Sequence, residues 1–104
     1  MPIADHTIID ARLLRLTEAV VRRLDANPAL RGRLRDNVSR WKNLHLRKQW
    51  ERRLEAPWIS LRSRLLERTQ AGAALRQDAP LGGILPAAER TRIMREFAHD
   101  PRAT

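Results

Sequence analysis

The stretch Ile9-Asp10-Ala11-Arg12-Leu13-Leu14-Arg15-Leu16-Thr17-Glu18-Ala19-Val20-Val21-Arg22-Arg23-Leu24 decides the fold class. Ile9, Leu13, Leu16, Val20 and Leu24 recur at spacings of four, three, four and four, and Leu14 and Val21 widen the stripe. That is the period of an amphipathic α-helix with one apolar side to bury. Thr7 followed by Asp10 resembles a capping box with Asp in place of the usual Glu, which predicts a helix over 8–26. Asn27-Pro28 ends it and opens the next, because Asn caps helices and Pro suits a first helical position.

Outward from there the helical period persists. Leu30, Leu34, Val38 and Trp41 fall within about 80° of one another on a helical wheel, predicting a second helix over 28–43 that Gly32 weakens slightly. The phase becomes ambiguous around Asn43-Leu44-His45-Leu46. A bend there starts a third helix over 46–55 carrying Leu46, Trp50 and Leu54; one long helix to residue 55 is the alternative. Ala56-Pro57 breaks the chain, and a helix over 57–69 follows with Trp58, Leu61, Leu65 and Leu66 inward, fading before one further turn at Ala73-Ala74-Leu75. Residues 77–85, rich in Gly and Pro, read as a loop, and Pro86 opens a last helix over 86–98 through Ile93, Met94 and Phe97. No useful run alternates with period two. The expectation is an all-α protein, a compact bundle of four to five helices in a single domain spanning 1–104.

Composition narrows the function classes. The 104 residues are 42% hydrophobic and 32% charged, too apolar for a disordered chain. With no Cys there is no disulfide scaffold, thiol catalysis or thiolate zinc site. No apolar run approaches the roughly 18 residues of a spanning helix, and the start Met1-Pro2-Ile3-Ala4-Asp5-His6 lacks the layout of a signal peptide. A cytoplasmic location and no membrane partner are expected. Aromatic content is only 4%, and Trp41, Trp50 and Trp58 all lie in phase with neighbouring Leu positions. They read as core anchors rather than base-stacking platforms.

Charge is the strongest functional signal. The net charge is +9, from 21 basic and 12 acidic side chains. Residues 1–30 sum to zero, whereas residues 31–53 hold Arg31, Arg33, Arg35, Arg40, Lys42, Arg47, Lys48, Arg52 and Arg53 against Asp36 and Glu51, a net +7. Such asymmetry is the footprint of a polyanion or of an acidic partner. It also fits Arg stems bordering a core with their heads in water. Arg31, Arg35, Arg40, Lys42, Arg47, Lys48, Arg52 and Arg53 are therefore the candidate contacts to nucleic acid or to an acidic protein. A helix-turn-helix over 8–42 would have to expose the face that holds Arg31, Arg35 and Lys42.

The tail Leu75-Arg76-Gln77-Asp78-Ala79-Pro80-Leu81-Gly82-Gly83-Ile84-Leu85 combines turn formers with large aliphatics. Either Leu81, Ile84 and Leu85 fold back to cap the bundle, or they form an apolar patch that a protein partner or a second copy covers. With Glu89-Arg90 after it, this segment is similar to the tails of small bacterial helical proteins associated with accessory or toxin–antitoxin-like contexts. The likeness implies a regulatory, antitoxin-like role and carries no functional residue over.

Catalytic motifs are absent. His6, His45 and His99 lie far apart with no metal-ligand spacing, so no metal, cofactor or small-molecule substrate is expected. Arg40-Trp41-Lys42-Asn43-Leu44-His45 and the pair Arg92 and His99 resemble the Arg-x4–6-His pattern of HEPN-type ribonuclease domains. That resemblance implies a His that moves the proton of a ribose hydroxyl and an Arg that holds the phosphate. Trp41 stands where that pattern has a polar residue. The leading expectation is a non-catalytic protein–protein interaction module. A DNA- or RNA-binding protein using 31–53 is the alternative, and a HEPN-like ribonuclease is the third.

Overall fold

Each helix boundary in this chain has an identifiable local cause. The structure, a computed structural model, describes the backbone of residues 2–98 and the side chains of residues 10–98. The order is α1 (Pro2–Ala26), a short 3-10 turn (Pro28–Arg31), α2 (Gly32–Ser39), α3 (Leu44–Glu55), α4 (Trp58–Leu65), α5 (Gln70–Asp78) and α6 (Ala87–Ala98). The protein is all-α: six α-helices and no strand stand among the described residues.

α1 begins at Pro2 rather than near residue 8, so Thr7 lies inside the helix rather than at its start. Pro is well suited to a first turn because its missing N–H would have no partner in any case. The break at Asn27-Pro28 is where the sequence puts it. However, the Asn27 side chain makes no capping hydrogen bond, and Pro28 opens the 3-10 turn rather than a full α-helix. α2 then stops at Ser39, four residues before the predicted end, because the chain turns to carry Trp41 inward. Trp41 packs edge-on against Trp50, with ring centroids 6.5 Å apart. The bend near residue 43 is present, and its cause is a cap: Asn43 Oδ1 accepts the Leu46 N–H at 3.1 Å, so α3 starts at Leu44.

The predicted helix over 57–69 is two pieces. α4 ends at Leu65, and α5 starts afresh at Gln70, a helix the sequence reading reduced to one turn inside 73–75. Thr69 is the reason, since its hydroxyl accepts the Gly72 N–H at 3.1 Å. Residues 79–86 form the expected loop, and α6 follows Pro86, whose carbonyl accepts the Arg90 N–H at 3.0 Å. The expected four to five helices are thus six.

Two buried clusters make one continuous core. Val21, Val38, Trp50, Leu61, Leu65 and Leu75 form the first, and Val20, Leu24, Leu34 and Ile84 the second. Half-buried Leu54 and Trp58 pack against both. α1 is the spine: it packs against the 3-10 turn, α5 and α6. The side chains of Arg15 and Arg23 tie it to Glu96 and Glu89 of α6.

The three tail aliphatics are not placed alike. Ile84 is 6% exposed and belongs to the core. Leu81 and Leu85 are half-buried against the same cluster. Ile84 is thus spent inside the chain, while Leu81 and Leu85 also line a cleft of about 180 Å³ with Leu13, Leu16 and Val20.

Candidate functional site

The basic residues of 31–53 do not share one face. Arg31 turns back to the core, its guanidinium 5.0 Å from the Trp58 ring centroid and its Nε donating to the Leu24 carbonyl at 3.4 Å. Beside it, Asp25 accepts from Trp58 Nε1 and from Arg62 Nε, both at 2.8 Å. The Trp58 hydrogen bond, followed by that of Arg62 and the charges of Arg62 and Arg31, holds the Asp25 carboxyl below the ordinary Asp value. Arg31 is therefore part of an internal aromatic and ionic cluster. Arg35 is exposed and lines a cleft of about 260 Å³ with Glu51 and Glu55 of α3, with no ion pair to either. Arg40 donates from Nη2 to Asn37 Oδ1 at 2.9 Å. Arg47 is half-buried, 3.9 Å from Glu51.

The remaining predicted residues lie on α3 or just before it. Lys42, Lys48 and Arg52 are exposed and have no ion-pair partner among the described residues. Arg53 lies over the Trp50 ring, 5.0 Å from its centroid. Partial burial lowers the Arg53 pKa, the neighbouring charge of Arg64 lowers it further, and Asp78 opposes both. On the α3 wheel Lys48, Arg52, His45, Gln49 and Arg53 span about 140°. The result is a ridge in which Lys48 and Arg52 project from α3 and Arg64 of α4 adds its charge beside Arg53. Arg64 was not singled out in the sequence, because nothing local announces that the α3–α4 turn brings it near Arg53.

The Arg40–His45 pair straddles the α2–α3 turn. His45 sits in the first turn of α3, exposed, with Nε2 3.2 Å from Gln49 Nε2. None of the four clefts described is lined by Arg40 or His45. His99 of the second pair lies outside the described residues, as do the side chain of His6 and that of Thr7. Among the described residues no group of His, Asp or Glu is placed to hold a metal ion, and no helix is long and apolar enough to cross a membrane. Leu44 and Ile59, 57% and 68% exposed, are the large aliphatics left on the surface. Scattered singly, such residues are ordinary.

Compared with protein-family profiles, with curated proteins and with solved structures, the chain matches none.

Proposed function

We propose that this chain is a non-catalytic helical module that binds the backbone of a nucleic acid through the cationic ridge of α3 and α4. Lys48, Arg52, Arg53 and Arg64 are its contacts. The observation that carries this reading is the set of exposed cations Lys48, Arg52 and Arg64 on α3 and α4 that no carboxylate pairs among the described residues, with Arg53 beside them over Trp50. A surface that gathers repelling guanidiniums is costly in isolation and becomes favourable once phosphates lie between them. Burial of Ile84 in the core leaves less apolar tail surface for a protein and so supports a polyanion. Phosphate contacts of this kind fix a protein on the strand without reading its sequence.

Binding of labelled duplex DNA and single-stranded RNA, followed by fluorescence anisotropy across a salt series, tests the reading. Four phosphate contacts should weaken affinity about 100-fold between roughly 50 and 200 mM salt, through counterion release. The double variant Lys48→Ala/Arg52→Ala should lower the salt slope by about two. Flat salt dependence, or no binding at low salt, overturns it.

A further inference from the structure

Gly32 opens α2, and nothing in the fold asks for a glycine there. Its φ is −60, an ordinary helical value, and a Cβ at this position would meet nothing within 4 Å. What the bare position does is leave open one wall of a cleft of about 320 Å³, between the start of α2 and the α3–α4 joint. That volume lies at the lower end of the range of small-ligand sites, about 300–1,000 Å³. Buried Leu34 and Leu61, with half-buried Leu54 and Trp58, make the apolar part of the lining.

Two cations stand in the same lining, and no carboxylate does. Arg31 and Arg35 are four positions apart on continuous helical backbone and so share a side of it. Arg31 spends its Nε on the Leu24 carbonyl. Its Nη1 and Nη2 make no hydrogen bond among the described residues, and neither is buried. Arg35 is exposed and makes no hydrogen bond or ion pair among the described residues. Asp25, whose charge interacts with that of Arg31, already accepts from Trp58 Nε1 and Arg62 Nε. Glu51 and Glu55 line the neighbouring cleft rather than this one. An apolar pocket that also offers guanidinium N–H donors suits an oxyanion with an apolar body.

We propose that the α2–α4 cleft binds a small organic oxyanion, a carboxylate or phosphate on an apolar body, with the body against Leu34, Leu54 and Trp58 and the charge on Arg31 and Arg35. None of Lys48, Arg52, Arg53 and Arg64 lines this cleft. The site is separate from the α3–α4 ridge and does not rest on it.

The Trp58 indole N–H serves as reporter. Resonances of the full chain, titrated at constant ionic strength with benzoate, phenyl phosphate and the neutral benzyl alcohol, supply the test. Saturable shifts of the Trp58 indole N–H and of amides within 31–35 and 54–61 are expected with at least one of the two anions. The anion that binds more tightly identifies the headgroup class, and benzyl alcohol should bind at least about tenfold more weakly. Arg35→Gln should weaken anion binding about tenfold, the scale of one charge-assisted hydrogen bond, and leave benzyl alcohol unaffected. Gly32→Leu adds bulk where a Cβ meets open space, so it should weaken all three ligands without lowering the urea midpoint. The double variant Lys48→Ala/Arg52→Ala should leave the shifts unchanged. Shifts that never saturate, that benzyl alcohol matches, that survive both Arg35→Gln and Gly32→Leu undiminished, that fade in the double variant, or that appear with neither anion overturn the proposal.

Discussion

At Gly72 a Cβ would overlap the carbonyl oxygen of Glu67, so the α4–α5 joint closes only because that position carries no side chain. Gly72→Ala should destabilise the protein by about 1–3 kcal/mol through forced backbone displacement, measured as a lowered midpoint in urea unfolding. The usual gain of Ala over Gly in a helix, at most about 1 kcal/mol, is too small to offset it. Asp25 is a second residue whose neighbours decide its behaviour. Its folded-state pKa is lowered by Trp58 and Arg62, so its contribution to stability is whole above the unfolded value of about 3.9. That contribution is lost as pH falls through the lowered folded value. Urea unfolding of wild type and Asp25→Asn should differ at neutral pH and converge in acid. A constant difference across the series would show that ionisation of Asp25 is not what matters. Composition made neither residue conspicuous. Gly72 reads as a weak helix former, and Asp25 as one of several scattered acids, until chain segments distant in sequence are brought against them.

At the scale of elements, the loop between α5 and α6 is held by one side chain of α2. Asn37 Nδ2 donates to the carbonyls of Pro80 and Gly82, both at 2.9 Å, while Gly83 adopts φ +77 to complete the turn. Only such anchoring lets a Gly- and Pro-rich segment deliver Ile84 into the core. Asn37→Ala should cost about 1–3 kcal/mol for two lost bonds and should speed hydrogen exchange across residues 81–85. Unchanged exchange would mean that the apolar contacts of Leu81, Ile84 and Leu85 hold the loop unaided. Helix identities were legible where the apolar period ran long or a proline intervened, as in α1, α3 and α6. α5 was not legible: its nine residues include Gly72 and three alanines at 71, 73 and 74, leaving little periodic signal. The cue that existed was Thr69, a cap residue directly before the helix.

The molecule as a whole carries a net +9 on 104 residues, and this excess repels itself in the folded state more than in the expanded chain. Added sodium chloride should therefore raise the thermal midpoint, most steeply at low ionic strength, where the screening length falls fastest. A midpoint that drops with salt would show that pairs such as Arg23–Glu89 and Arg62–Asp25 outweigh the repulsion. The same excess makes a polyanionic partner the natural complement, and most of it does lie within 31–53 as the residue order shows. Its division between interior and surface was not legible there. Arg31 stacks on Trp58, twenty-seven positions along the chain, whereas Arg52 meets only solvent.

The residue order alone determined that this protein is helical, where its main breaks fall, and that its charge is concentrated in the middle of the chain. These follow from interactions within a few residues: the 3.6-residue period, the rigidity of proline and the sum of side-chain charges. Only the tertiary structure decided that Ile84 is core, that Arg76 is a buried cation beside a cleft, and that Arg64 joins Arg53. Each of those depends on a partner about ten to sixty positions away, and no local pattern specifies which distant surface a turn will bring into contact.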